Sequence, residues 1–298
     1  MVEPLLEAND LKTYFFTEEG VVKAVDGITF DVRPGEILGL VGESGCGKSV
    51  SALSILQLIP SPPGRIVSGQ VLFEGRDLSR LKGNEIRRVR GRRIAMIFQD
   101  PLSHLNPVYS VGWQIIEMMR VHGVSGADAR KRAIELLHRV GIPDPEARMR
   151  AYPHQFSGGQ RQRLMIAMAL ALKPDILIAD EPTTALDVTV QAQILALLEE
   201  LQAETGMGLL LITHDLGVVA EVADRVVVMK QGEIVEEGDA AQVYRTPSHP
   251  YTRKLIAAAP GRGEMAPDTI PKAEPLLRAE RVSKSYGGFE ALSAASFE

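Results

Sequence analysis

Eight consecutive residues, Gly42-Glu43-Ser44-Gly45-Cys46-Gly47-Lys48-Ser49, read G-x-x-x-x-G-K-S. Glycines in such a loop let the backbone wrap phosphate oxygens and present N–H groups as a concave nest. Lys48 supplies a point charge for β- and γ-phosphates, and the Ser49 hydroxyl is placed to ligate Mg²⁺. A second set is the acid pair Asp180-Glu181, which follows the apolar run Ile176-Leu177-Ile178-Ala179. A buried strand ending in two acids delivers them to the carboxyl edge of a sheet, where α/β folds carry their chemistry. There Asp180 suits an outer-sphere contact to Mg²⁺, and Glu181 suits a base that orients or deprotonates water. His214 follows another apolar run and joins the same strand tips as a candidate γ-phosphate sensor. A third set is Ser157, an N-cap by type, with Gly158, Gly159 and Gln160 behind it. A glycine-rich helix start with a serine cap has the makings of a second anion site.

These residues need strands and helices to hold them. Ile37 to Val41 is a short apolar run ending at the loop, and apolar residues at 53, 56 and 59 predict the helix behind it. Residues 5–11 and 22–32 predict strands, with Tyr14, Phe15 and Phe16 between them. An aromatic face there can stack on an adenine ring, with ordinary core packing as its competing role. Pro60 to Gly64 stops the first helix, and residues 66–77 read as hairpin-like strands around Gly69 and Gly75. Residues 94–98 predict a buried strand that ends at Gln99, and 102–110 a loop. From 111 to 172 the pattern turns helical: Ile115, Met118, Met119 and His122 share one face, and Ala133, Leu136, Leu137 and Val140 another. Such a block between strands predicts a helical subdomain. Residues 188–204 predict an amphipathic helix, 225–237 two short strands, and 239–259 a helix broken at Pro247.

Composition narrows the class. The chain has 298 residues, 45% hydrophobic and 24% charged, the balance of a globular protein. A formal net charge of −5 disfavours sequence-independent binding to a phosphate backbone. Cys46 is the sole cysteine, so no intrachain disulfide forms. No signal-peptide layout opens the sequence, and no apolar run approaches the ~20 residues of a membrane-spanning helix. Membrane association therefore has to come through a partner. Histidines 104, 122, 138, 154 and 249 share no metal-ligand spacing and read as structural or surface residues.

The end of the chain repeats its beginning. Glu274-Pro275-Leu276-Leu277-Arg278-Ala279 echoes Glu3-Pro4-Leu5-Leu6-Glu7-Ala8, and the register puts Tyr286 opposite Phe15. After a gap, Ala291-Leu292 matches Ala24-Val25, and Phe297-Glu298 matches Phe30-Asp31. The repeat favours Phe15 over Tyr14 as the adenine-stacking ring. Residues 260–273 form a Pro/Gly-rich linker. The layout predicts one complete domain over 1–259, the linker, and over 274–298 the opening strands of a second domain, either because the chain is a fragment of a tandem protein or because its gene is truncated.

The motifs stand in one order: the phosphate loop, Gln99 after a strand, FSGGQ at 156–160, ILIADE at 176–181, Ala185-Leu186-Asp187, and His214. Together they resemble the nucleotide-binding domain of ABC transporters over residues 5–260. The resemblance implies an α/β fold: a P-loop ABC ATPase domain with a mixed RecA-like core sheet, an antiparallel β subdomain and an inserted helical subdomain over about 102–172. It implies ATP and Mg²⁺ as ligands, with Gly42 to Val50 on the phosphates and Phe15 or Tyr14 on the base. Ser49, Gln99 and Asp180 would serve the metal, and Lys48, Gln99, Glu181 and His214 the reaction. Two domains would pair head to tail, each presenting Ser157, Gly158, Gly159 and Gln160 to the other's ATP, with Asp187 crossing the interface. Phe156 replaces the family's usual Leu, a hydrophobic swap.

A narrower resemblance rests on VGESGCGKSVSALSILQLIPSPPG, ADEPTTALDVTVQAQIL and TPSHPYTRKLIAAAP. These are similar to ATPase subunits of dipeptide, oligopeptide and microcin-type importers, and the tandem layout to their fused members, including the glutathione-import type. Many single-domain members continue into a cysteine-bearing tail; no cysteine follows Pro260 here, so no iron–sulfur cluster is expected. The implied partners are a second ABC domain, integral-membrane permease subunits and, indirectly, a substrate-binding protein, at the cytoplasmic face of the membrane. Two alternatives stand beside it: a soluble tandem ABC ATPase acting on nucleic acid or ribosomes, and an export ATPase. Absent zinc-type cysteine pairs, a short linker and an acidic balance weigh against the first.

Overall fold

The computed structural model describes residues 3–184, 186–258, 277–287 and 289–297. The chain divides into two units, Met1–Arg262 and Gly263–Glu298. The larger opens with a long hairpin, β1 (Leu6–Thr17) and β2 (Gly20–Val32). Leu6, Ala8, Leu11 and Thr13 point inward, as strand periodicity requires. Tyr14, Phe15 and Phe16 lie inside β1 and not between two strands, because pairing with β2 continues through Phe16↔Val21 to Thr17↔Gly20. Next comes β3 (Ile37–Val41), buried at every residue, and α1 (Lys48–Ile55). The 53/56/59 spacing overstates α1: Leu56 is its C-cap, and Ile59 lies beyond it.

β4 (Gly64–Phe73) and β5 (Arg76–Asp77) complete an antiparallel sheet of order β2-β1-β4-β5. A turn falls at Gly75 as expected, but Gly69 stays within β4. There it has φ +94°, and an added Cβ would stand 2.4 Å from the Asp10 carbonyl, where the β1–β4 register shifts between Asn9 and Lys12. This glycine accommodates a bulge, not a turn.

After α2 (Asn84–Val89) and β6 (Ile94–Ile97) the helical block begins with α3 (Pro101–His104), one turn within the segment expected as loop. α4 (Val111–Val121) and α5 (Gly126–Arg139) are capped by Ser110 and Ser125. α6 (Pro145–Arg148) and α7 (Gly158–Ala169) close the block. The chain then alternates: β7 (Ile176–Asp180), α8 (Val188–Thr205), β8 (Gly208–Thr213), α9 (Leu216–Val222), β9 (Arg225–Lys230). β10 (Glu233–Asp239), α10 (Ala240–Arg245) and α11 (Pro250–Ala258) follow. The central sheet runs β10-β9-β3-β8-β7-β6, parallel except for β10. It is therefore mixed, as expected.

Its strands read as continuous apolar runs because both faces are covered. Leu177 and Ala179 pack with the helical block, while Ile176 and Ile178 pack with the inner face of the antiparallel sheet. Each such buried Leu or Ile side chain contributes about 1.5–3 kcal/mol. That packing fixes where β3, β6, β7 and β8 end, and the chemistry-bearing residues sit at those ends.

The second unit is described by itself. Its described part is an antiparallel hairpin, β11 (Ala279–Tyr286) and β12 (Phe289–Phe297). Pairs Ala279↔Phe297, Val282↔Ala295, Lys284↔Leu292 and Tyr286↔Phe289 reproduce Ala8↔Phe30, Leu11↔Ile28, Thr13↔Val25 and Phe15↔Val22. Arg281 and Ala294 adopt positive φ where Asp10 and Gly27 do. Ser296 Oγ accepts the Arg281 N–H at 2.9 Å, as Thr29 Oγ1 accepts the Asp10 N–H at 3.0 Å. The repeat seen in sequence thus extends to backbone bulges. The expected linker 260–273 and Ala185 lie outside the described residues.

Candidate nucleotide site

β3 runs straight into the glycine loop. Gly47 has φ +109°, and a Cβ there would stand 2.2 Å from the Ala24 carbonyl of β2, so only glycine lets the loop lie against the hairpin. Gly47 is also the N-cap of α1, with no side chain to accept the first-turn N–H groups. Those donors, and the positive end of the helix, remain for ligand oxygens. Lys48 is only 4% exposed, and its Nζ donates to the carbonyls of Gly42 at 2.8 Å and Glu43 at 3.0 Å. It forms no ion pair among the described residues, so carbonyl dipoles meet its charge and it could hold a phosphate. Cys46 is buried within the loop, 3.9 Å from Lys48 Nζ, and burial pushes its thiol up.

Ser49 Oγ donates to Asp180 Oδ1 at 2.9 Å, joining the loop to the tip of β7. Asp180 is 4% exposed. Burial pushes its carboxyl up to about 6, with Ser49 and Lys48 pulling it down and Glu181 pushing it up. A buried carboxylate held at that cost is relieved by a cation. Among the described residues, no group of three or more His, Cys, Asp or Glu could hold a metal alone. The donors present, a hydroxyl, a carboxylate and the Gln99 amide, are hard oxygens that fit Mg²⁺ bound chiefly by phosphates and water.

Glu181 is the hub. Its φ of +46° puts a non-glycine residue in the left-handed region, at a cost of about 1–2 kcal/mol. Its N–H bonds the Ile212 carbonyl at 2.9 Å, tying this tip to β8. Its Oε2 accepts Gln99 Nε2 at 2.9 Å and Thr184 Oγ1 at 2.8 Å, and Oε1 lies 3.5 Å from His214 Nδ1. The Glu181 side chain is 11% exposed and that of His214 60%. Gln99 follows β6, Glu181 follows β7 and His214 follows β8, so three strand ends converge on one carboxylate. Thr184 was not among the residues read from sequence. Its one signal is local: it closes a turn with its N–H on the Glu181 carbonyl at 3.2 Å.

Other sequence candidates are placed differently. The Tyr14 hydroxyl donates to Asp26, and Lys23 Nζ both bonds Asp26 at 3.1 Å and lies over the Tyr14 ring. Phe15 is half-buried opposite Val22, two residues along β2 from the Ala24 that touches Gly47. The Phe15 ring lies against Gly64 of β4, where an added Cβ would stand 2.9 Å from Phe15 Cε1. Ser157 caps α7 as expected: its Oγ accepts the Gln160 N–H at 3.3 Å, and Gln160 Oε1 accepts the Ser157 N–H at 3.1 Å. Gly159 lets α7 approach α8, since a Cβ there would lie 2.6 Å from Val190 Cγ1. Asp187 caps α8 through the Val190 N–H at 3.0 Å. Phe156 is buried, with the Arg148 guanidinium over its ring. Among the described residues, no hydrogen bond joins Ser157, Gly158, Gly159 or Gln160 to residues 42–49. The chain brings together the loop, the acid pair, Gln99 and His214, and leaves the serine-glycine helix start outside that group.

A family model described as ABC transporter matches residues 25–184. A probable peptide ABC transporter ATP-binding protein, y4tR of Sinorhizobium fredii, is 53% identical over 287 residues, covering 95% of this chain and 85% of that one. The dipeptide transport ATP-binding protein DppD of Escherichia coli is 53% identical over 257 residues, covering 86% and 78%. The peptidoglycan transport ATP-binding protein YejF of Agrobacterium fabrum is 55% identical; the match covers 88% of this chain and 48% of that longer protein. A dimeric post-hydrolysis structure of the ATP-binding cassette MJ0796 bound to ADP and Pi superposes with TM-score 0.70 at 28% identity, covering 79% of this chain and 98% of that one. With a phosphate loop, an acid-tipped strand and a capped glycine helix start on one such scaffold, the chain belongs to the ABC transporter family, as one of its ATPases.

Proposed function

We propose that this chain hydrolyses MgATP to drive peptide import, docked as a peripheral subunit on an integral-membrane permease. What carries the reading is the convergence of Gln99, Thr184 and His214 on Glu181 beside the Lys48–Ser49–Asp180 cluster. Peptide cargo is supported by relatives described as peptide and dipeptide transport proteins. Among the described residues no helix is long and apolar enough to cross a membrane, so a permease would supply the pore.

In this reading the loop N–H groups and Lys48 hold the phosphates, and Ser49, Asp180 and Gln99 hold Mg²⁺. The metal, when bound, neutralises phosphate charge. Glu181 orients the attacking water and draws its proton, Gln99 and Thr184 fix the carboxylate, and His214 meets the γ-phosphate. Phosphoryl transfer to water needs such positioning more than covalent chemistry. Phe15 stacks on the base. Ser157, Gly158, Gly159 and Gln160 serve the ATP of a second cassette, and Asp187 lies at that interface. Their separation from the loop within one chain supports this, as does the dimeric state of the MJ0796 cassette. The permease would seat in an apolar groove of about 340 Å³ between the β6 tip and the helical block, lined by Phe98, His104, Met118 and Met165 among others.

Glu181→Gln tests the reading. It should retain ATP affinity while turnover falls 100-fold or more, on the order of a lost general base; Lys48→Ala should abolish binding. A Glu181→Gln chain hydrolysing ATP at the parent rate would remove Glu181 from its role.

The second unit we assign as the first hairpin of another cassette, joined through 260–273. The shared register, the shared left-handed positions and the shared hydroxyl-to-amide bond support it. Reading the coding sequence beyond Glu298 tests it: a second phosphate loop is expected, and an unrelated continuation would overturn it.

A further inference from the structure

Outside the site just described, a side-chain hydroxyl reaches the glycine loop from α11. Tyr251, near the start of α11, is 6% exposed, and its hydroxyl accepts the backbone N–H of Glu43 at 3.1 Å. The Glu43 carbonyl in turn accepts from Lys48 Nζ at 3.0 Å and from the Cys46 N–H at 3.3 Å. One residue's backbone therefore ties the tyrosine to the lysine. The aromatic ring is itself held, with Lys230 Nζ 5.2 Å from its centroid. The segment leading into α11 is moored to β10 by Glu236, whose carboxylate accepts the Ser248 N–H and Oγ at 2.7 Å each and the His249 N–H at 3.1 Å. His249 Nδ1 then accepts the Tyr251 N–H at 3.2 Å.

We propose that Tyr251 is a positioning residue for nucleotide binding: through Glu43 it holds the mouth of the loop and sets where Lys48 Nζ waits for phosphate. The role rests on the nucleotide reading above and adds a residue to it. Glu43 is the first loop residue after Gly42, and a loose backbone there would let the lysine wander between carbonyl partners. The Glu43 N–H shares its peptide group with the Gly42 carbonyl, which accepts Lys48 Nζ at 2.8 Å. Hydrogen bonds in series through one peptide group polarise one another in a water-poor setting, so removing the outer one weakens the inner. The Ser-His-Pro-Tyr-Thr stretch at 248–252 thereby acquires a task that its local sequence does not reveal.

Tyr251→Phe removes one oxygen and keeps the ring. ADP binding, measured by calorimetry, should weaken about 3- to 10-fold, the range of a single lost hydrogen bond. In nucleotide-free protein, iodoacetamide should alkylate Cys46 faster, because the Glu43–Cys46 turn has lost its anchor. Ile256→Val, a trim of a buried α11 side chain away from the loop, should change neither. Glu236→Gln loosens the mooring with the tyrosine intact and should weaken ADP in the same direction. Parent-like affinity and alkylation in Tyr251→Phe overturn the proposal, as does unchanged ADP affinity in Glu236→Gln. An Ile256→Val protein reproducing both changes also overturns it, since general loosening of α11 would then suffice. If the parent chain bound no ADP, the nucleotide reading itself would fall; binding by the parent with no effect of Tyr251→Phe would sink this role alone.

Discussion

Asp180 shows at the scale of one residue what burial does to a carboxyl. Its carboxyl stands at about 6 in the fold against an ordinary 3.8. A raised carboxyl binds its proton more tightly in the native chain, so it destabilises the fold above pH 6, and that penalty fades as pH falls towards 4. In Mg²⁺-free, nucleotide-free solution, Asp180→Asn should therefore raise stability at pH 8 by up to about 3 kcal/mol, since each tenfold change in proton affinity is worth about 1.4 kcal/mol. The gain should shrink to nearly nothing below pH 4. Urea titrations at pH 8 and pH 4 check it, and an equal gain at both would contradict the account. The same variant should bind MgATP more weakly, because the carboxylate that burial penalises is the one a cation rewards. This residue was legible in sequence as the acid after an apolar run. Thr184 and Tyr251 were not: one acts through a turn that forms only around Glu181, the other across 208 positions of chain.

At the scale of elements, what the sequence disclosed followed periodicity and caps. The buried faces of α4 and α5, the serine cap of α7 and the apolar strands β3, β7 and β8 all have local signals, and all stand where those signals put them. The errors came where a partner decides. Gly69 looked like a turn because its partner, the bulge at Asp10, is invisible from residues 66–77. Tyr14 to Phe16 read as a break because their cross-strand partners Lys23, Val22 and Val21 are not visible locally, although aromatics suit a strand. The loop glycines belong with the caps. Gly47→Ala would combine a left-handed backbone with a 2.2 Å approach to the Ala24 carbonyl. It should cost at least about 1–3 kcal/mol in strain and abolish nucleotide binding. Denaturation and ADP calorimetry measure the two effects, and a Gly47→Ala chain that binds ADP normally would show that the hairpin yields.

At the scale of the molecule, the described chain gathers the loop, the acid pair, Gln99 and His214 and leaves Ser157 to Gln160 elsewhere. If two cassettes must close on nucleotide, hydrolysis by the isolated chain should rise with the square of its concentration when dilute. A strictly linear rate from micromolar to nanomolar protein would mean that one cassette suffices. The arrangement also makes the Glu181→Gln chain the natural one in which to trap an ATP-bound pair, visible as a doubled mass by light scattering.

The family match ends at Thr184, yet the hydroxyl that meets Glu43 arrives from the last helix of the cassette. A protein trimmed after α10 would keep every signature stretch and still lack its doorstop. If that hydroxyl holds the loop as proposed, the working boundary of this cassette falls after α11 and not at the end of its central sheet.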